Sequence, residues 1–281
     1  MKMKKVMAGL LAGLMAFSMV ACGNKSASAE KTDAKDTNND GKFVVGFDQD
    51  FPPFGYVGDD GEYTGFDLEL AAECAKRMGQ EIVYQPIDWD AKDMELESGT
   101  IDCIWNGFTM NGREDAYTFS VPYVDNSQVI VVADDSGIEK LADLKGKNVV
   151  VQAASAALDA LNNDDNKDLK DSFASLTENP DYNTAFMNID SGAADAVAVD
   201  IGVANYQLSQ RGKDKYVILD EPIQNEQYGI GFKKGNDELK DLVWDEVKKL
   251  DESGEVDKLA DKYELDKSCL LYTSDAADDL I

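Results

Sequence analysis

Gly192-Ala193-Ala194-Asp195-Ala196-Val197-Ala198-Val199-Asp200, running on into Ile201-Gly202-Val203-Ala204-Asn205-Tyr206-Gln207-Leu208-Ser209, decides the fold. Ala196 to Val199 is apolar without alternation, the pattern of a strand buried on both faces. Ile201 to Ser209 then reads as a helix. The same strand and helix units recur outward along the chain. Towards the N-terminus lie strands at Phe43–Phe47, Ile82–Gln85, Ile101–Trp105, Gln128–Val132 and Asn148–Val151. Between them, helices are expected after an Asp67 cap to Met78, at Asp90–Ser98, Ile138–Leu144 and Ser155–Leu161, and later at Asn183–Ile189. Towards the C-terminus come strands at Val217–Leu219 and Gly229–Phe232. Helices Asp237–Leu250 and Glu255–Tyr263, split by Gly254, close the pattern. Such alternation predicts an α/β fold with mostly parallel sheets, whose ligands sit at strand carboxyl ends and in clefts.

Composition narrows the function. The 281 residues carry 27 Lys and Arg against 55 Asp and Glu, a net charge of −28, and no histidine. So acidic a chain repels phosphate backbones, so no nucleic-acid partner is expected. Without histidine there is no Ser-His-Asp triad and no His-ligated zinc. Asp36, Asn38, Asp40 and Gly41 match the opening of an EF-hand loop, but position twelve is Phe47, so no metal is expected. No cofactor is expected either.

The N-terminus reads as an address. Lys2, Lys4 and Lys5 precede an apolar run from Val6 to Val20, too short to span a bilayer comfortably. Met19-Val20-Ala21-Cys22 resembles the lipobox of bacterial lipoproteins, with Met19 where Leu is usual. That resemblance implies removal of residues 1–21, lipidation of Cys22 and a membrane anchor on the extracytoplasmic face, of Gram-positive type. An ordinary secretory leader is the alternative. Residues 22–41 read as the lipidated Cys and a flexible tether. Cys74 and Cys103 are expected as buried free thiols, with a disulfide between them the alternative.

Four stretches carry a family resemblance. The first is Gly46-Phe47-Asp48-Gln49-Asp50-Phe51-Pro52-Pro53-Phe54, followed by Gly65-Phe66-Asp67-Leu68-Glu69-Leu70-Ala71. The second runs from Trp89 through Ser98-Gly99-Thr100-Ile101-Asp102, Asn106-Gly107-Phe108-Thr109 and Arg113 to Phe119-Ser120-Val121-Pro122-Tyr123. The third is Asp143 to Gln152. The fourth is Gly192 to Asp200, with Tyr228-Gly229-Ile230 after it. Together, over about residues 42–266, they resemble the polar amino-acid solute-binding proteins of ABC importers, bacterial extracellular solute-binding protein family 3. The resemblance implies a two-lobed periplasmic-binding-protein-like fold of type II. Lobe one would hold residues 42–122 and 229–266, lobe two 128–224, with hinges at 123–127 and 225–228. It implies a monomer that captures a free amino acid and delivers it to ABC permease subunits.

A free amino acid carries a carboxylate and an ammonium on adjacent atoms, and taking it out of water requires both to be paired. By resemblance, Arg113 is the carboxylate clamp, its planar fork suited to bidentate pairing. Asn106, Gly107, Phe108 and Thr109 belong to the same loop, with Thr109 and the Gly107 backbone as zwitterion ligands. The family usually has one more residue between this Thr and Arg. Asp200 matches the ammonium partner, and a plain helix cap remains open for it. Ser155 opens a helix whose free N–H groups favour an anion, or is simply its N-cap. The family usually has Gly-Thr-Thr where this chain has Ala154-Ser155-Ala156. Phe51 and Trp89 match aromatic positions that sandwich the substrate side chain, and Asp48 lies near the same pocket. An acid with two π-faces suits a polar or cationic side chain. Gln152 and Tyr228 are further candidates for the side-chain end. Asp102 and Asp195 read as structural turn acids.

Two rival functions fit the same fold: an enzyme resembling cyclohexadienyl dehydratase, and a sensory ligand-binding module. Residues 267–281 depart from the family. Ser268 to Ile281 resembles translated adapter read-through, a genuine short terminal segment being the alternative, and no packed role is expected of it.

Overall fold

Strands from both ends of the described chain share the first sheet. The computed structural model describes residues 41–271, all inside one compact unit of residues 34–281. The expected leader, Cys22, nearly all of the tether and residues 272–281 lie outside the described residues. The chain enters through β1 (Lys42–Phe47) and a small sheet of β2 (Asp50–Phe51), β3 (Gly55–Val57) and β4 (Tyr63–Thr64). It continues through α1 (Phe66–Met78), β5 (Glu81–Pro86), α2 (Lys92–Ser98), β6 (Cys103–Ile104) and β7 (Tyr117–Phe119). A 3-10 turn, Trp89–Ala91, forms the front of the helix expected from Asp90.

The second sheet begins with β8 (Val124–Ala133) and β9 (Asn148–Gln152). After α3 (Ala156–Asn162) and α4 (Lys167–Ser172) come β10 (Ser175–Asn179), α5 (Tyr182–Asp190), β11 (Ala196–Asp200), α6 (Ile201–Arg211), β12 (Tyr216–Ile218) and β13 (Gln224–Tyr228). The chain then returns to the first sheet with β14 (Gly231–Lys233), covered by α7 (Asp237–Glu252) and α8 (Glu255–Lys262).

The two lobes follow one plan. Their strand orders are β5-β1-β6-β14-β7 and β10-β9-β11-β8-β12, with β13 also on β8. In each, three consecutive strands run parallel, and the rest are antiparallel. The α/β two-lobed architecture is as expected, but the sheets are mixed rather than mostly parallel. The uniformly apolar cores of β8 and β11 looked alike in sequence, because burial on both faces, not direction, sets that pattern.

The turns before β6 and β11 also match. Asp102 accepts from the Val44 N–H at 2.7 Å, and Asp195 from the Asn148 N–H at 2.7 Å. Each acid ties its strand to a parallel neighbour, β1 for Asp102 and β9 for Asp195, a structural role as expected. Gly46 in β1 has no room for a side chain: a Cβ there would stand 2.4 Å from Ile101 Cδ1.

The stretches expected as crossings are not loose linkers. They pair side by side as the start of β8 and all of β13, in antiparallel register from Gln224 opposite Gln128 to Tyr228 opposite Val124.

Other expectations change. Asp67 does not cap α1. Gly65 holds that position, and Asp67 lies inside the helix, wholly buried. Ile138–Leu144 yields only a 3-10 turn, Leu141–Leu144, because the Asp143 carboxylate takes the N–H groups of Glu139 and Lys140. Cys74 and Cys103 are buried free thiols, and burial raises both their pKa values. Residues 267–271 do have a packed role. Leu270 bridges to Val124, the Leu271 N–H donates to the Tyr123 carbonyl, and Cys269 and Leu270 lean on the core.

Candidate functional site

The loop after β6 carries five of the candidate residues. Gly107 has φ +58°, and a Cβ there would stand 2.8 Å from Phe51 and 3.1 Å from Tyr228, so only glycine fits. Its N–H donates to the Asp67 carboxylate at 2.6 Å. Asp67 also accepts from the Tyr123 hydroxyl at 2.7 Å, and burial pushes its pKa up to about 7. Asn106 Oδ1 accepts from the Asp48 N–H at 2.9 Å, while its buried Nδ2 has no partner. Phe108 is fully buried, so it serves as a platform: the Arg113 guanidinium carbon sits 5.1 Å over its ring and Trp89 packs on it edge-on. Thr109 donates its hydroxyl to Glu226 at 2.7 Å.

Arg113 Nη2 donates to Asp159 Oδ2 at 2.8 Å. Asp159 stands on α3, in the other lobe. Neither Glu114 nor Asp115 forms the pair.

Further contacts shut the lobes on each other. Gln152, at the end of β9, donates to Asp48 Oδ2 at 2.5 Å and to the Pro180 carbonyl at 3.2 Å. Asn183 donates to Asp50 at 3.2 Å. Lys92, 6% exposed, donates to the Trp89 carbonyl at 3.2 Å and across the cleft to the Ala154 carbonyl at 3.4 Å. Burial, then the nearby Arg113, lowers its pKa. Phe51 lies against Phe54 and, across the cleft, Tyr182, each at 6.0 Å between ring centroids.

Ser155 is the N-cap of α3, accepting from the Leu158 N–H at 3.2 Å. Asp200 makes no side-chain cap bond to α6. Its Oδ1 instead accepts from Tyr228 Oη at 2.5 Å, Gln128 Nε2 at 2.7 Å and Asn126 Nδ2 at 2.8 Å. Burial, followed by the Glu226 charge, pushes its pKa up to about 7. Asp48 is also buried, which pushes its pKa up to about 6.

Asp48 and Trp89 line a cavity of about 780 Å³ that also receives Asp50, Asp88, Glu178 and Asp181, and no lysine or arginine lines it. Phe51 is not among its walls, so the two expected aromatic faces do not share one chamber. Sequence reading missed Glu226, Asn126, Gln128, Asp159, Lys92 and Tyr182. For the first three a signal existed: Asn126 with Gln128, and Glu226 with Tyr228, are buried in alternation with the less buried Asp125, Ser127, Asn225 and Gln227 on adjacent strands, a strand's period rather than a linker's.

Two α/β lobes joined by a paired double crossing are the form of a solute-binding protein, and here Arg113 stands on one lobe and the buried Asp200 on the other. The chain belongs to the bacterial extracellular solute-binding proteins, family 3, whose pattern matches residues 43–266. The L-cystine-binding protein TcyJ of Escherichia coli (strain K12) is 30% identical over 257 residues, 90% of this chain and 94% of that one. The arginine-binding extracellular protein ArtP of Bacillus subtilis (strain 168) is 31% identical over 264 residues, covering 93% and 98%. Among solved structures, an ABC uptake transporter substrate-binding protein from Streptococcus pneumoniae with bound histidine superposes with a TM-score of 0.77. Its identity is 30%, over 80% of this chain and 92% of that chain.

Proposed function

We propose that this chain captures a free polar or cationic amino acid between its lobes and delivers it to an ABC permease, acting as a binding protein and not as an enzyme. The observation that carries this is Asp200: a buried carboxylate, ringed by neutral donors, that no lysine or arginine pairs among the described residues. An ammonium is the group such a site lacks. Arg113 takes the carboxylate of the same ligand, exchanging Asp159 for it. The charged residues that line the cavity around Asp48 and Trp89 are all acids, which favours a positive or polar side chain. Relatives that bind arginine, histidine and cystine support the class.

The crossings at 123–127 and 225–228 are the hinges. Arg113 and Asp200 then pair one ligand only when the lobes are shut, so binding drives closure by differential affinity. A closed form binding ~10⁴-fold tighter shifts the population almost fully. Family membership supports an extracytoplasmic place. The Ala21-Cys22 junction supports anchoring through lipid on Cys22, which mass spectrometry of the membrane fraction tests.

A thermal-shift screen of the twenty amino acids with cystine and ornithine tests the ligand class, because ligand raises the melting temperature by mass action. No shift with any of them sinks this reading. Steady turnover of a cyclohexadienyl substrate would instead support the dehydratase-like rival.

A further inference from the structure

Asp200 is not alone. Glu226, on β13, is 4% exposed, and Asp200 is 3% exposed. Gln128 Nε2 lies 2.7 Å from an oxygen of each, and Asn126 Nδ2 lies 2.8 Å from the same two oxygens. The two carboxylates therefore share both amide donors and lie close together. Thr109 and Gln224 complete the shell of Glu226, and Tyr228 that of Asp200. Every one of these donors is neutral. None of the ion pairs among the described residues includes either acid.

Two more buried atoms go unused. Gln128 Oε1 has no hydrogen-bond partner, nor has the Tyr182 hydroxyl, whose charged neighbours are Asp200, Glu226 and Asp48. A buried site with two acids, no cation and idle acceptors lacks a donor-rich cation. An ammonium, with three N–H groups and a full charge, supplies that.

We infer that Glu226 is a specificity-determining residue: with Asp200 it forms a two-carboxylate seat for the ligand's ammonium, so that ammonium capture expels a proton from the pair. This rests on the amino-acid-binding reading of the site. Buried, and beside the Glu226 charge, Asp200 holds its proton up to about 7 when no ligand is bound. The groups facing it are Tyr228 from β13, Tyr182 from α5, Asn126 and Gln128 from β8, and Thr109 from the loop. None is basic, and the tyrosines stay neutral because burial raises their pKa values well above the usual range. The exchange balances: the carboxyl O–H loses its proton to solvent, and the carboxylate left behind accepts from the incoming ammonium. A neutral analogue without the amine gains nothing from this seat.

Calorimetric titration of the wild-type protein with L-arginine, L-histidine, L-glutamine and L-cystine, in buffers of different ionisation enthalpy, tests this. About one proton should leave per ligand bound near pH 6, falling towards none above pH 8. Over the same range affinity should rise with pH and then level. Glu226→Gln should reduce the release, since burial alone still holds up Asp200, and lower affinity at pH 8, with its melting curve as the check on folding. Asp48→Asn should still release the proton, which separates the pair from Asp48. Binding without proton exchange, or unchanged release in Glu226→Gln, overturns the inference and leaves amino-acid binding standing. If Glu226→Gln does not melt cooperatively, the wild-type pH profile decides. Should none of the four bind, the titration is run with whichever amino acid raises the melting temperature in the screen; if none does, the amino-acid reading of the site falls and the inference with it.

Discussion

Arg113 of one lobe and Asp159 of the other form an ion pair of 2.8 Å across the cleft, with the guanidinium 5.1 Å over the ring of Phe108. The arginine is 13% exposed and the aspartate 62% exposed, so the arginine is fixed in place and the acid is the replaceable partner.

Arg113→Ala should therefore weaken amino-acid binding by ~2–4 kcal/mol, since the ligand carboxylate loses its charged partner in a desolvated place. Asp159→Asn should act in the opposite direction, tightening binding by up to about 1 kcal/mol, the scale of an exposed ion pair. Calorimetry of both variants decides; unchanged affinity in Arg113→Ala would remove it from the site.

Asp200→Asn should weaken amino-acid binding far more than it lowers the melting temperature of the ligand-free protein. The carboxylate caps nothing in α6, so the helix loses no bond of its own. Parallel loss of binding and of fold would contradict this.

Stability should fall as pH rises from about 4 to about 7. Asp67 is held up to about 7 and Asp48 up to about 6, both above an unfolded value of 3.8. A folded-state pKa above the unfolded one gives a stabilisation that is full below the unfolded value and lost as pH climbs through the folded one. Asp67→Asn carries no proton to lose, so its melting temperature should decline less over this window. A wild-type melting temperature that rises steadily from pH 4 to pH 7 would refute the assignment.

Leu270→Ala should lower the melting temperature by roughly 2–4 °C, the effect of about 1 kcal/mol in a domain of this size, because its side chain leans on the core beside Val124. No change on differential scanning would return residues 267–271 to the unpacked role first expected of them.

The parts legible in sequence were those whose residues carry one message. The second half of β8, from Val129, and most of β9 and β11 are apolar and buried, so their pattern announces them. β10 is polar and largely exposed, and β2 and β4 are two residues long, so neither period nor propensity marks them. The same contrast runs through the site. The motifs single out Arg113 and Gln152, which bond across the lobes, and Asp200, which is buried among neutral donors. The bond from the Gly107 N–H to Asp67 was not legible, because Asp67 is forty residues away and looked like a helix cap. Glu226 was missed because a chain segment expected to be a hinge was not read as a strand with an inner face.

The shared lobe plan has a consequence for the order of assembly. The second sheet uses one continuous piece of chain, β8 to β13, and has all its strands once Tyr228 is available. The first lacks its fourth strand until β14 arrives, and its cover until α7 and α8 follow. A chain delivered N-terminus first therefore begins the lobe with Arg113 before the lobe with Asp200 yet finishes it afterwards. Contacts so distant in sequence are slow to form, so completion of the split lobe sets the pace of folding.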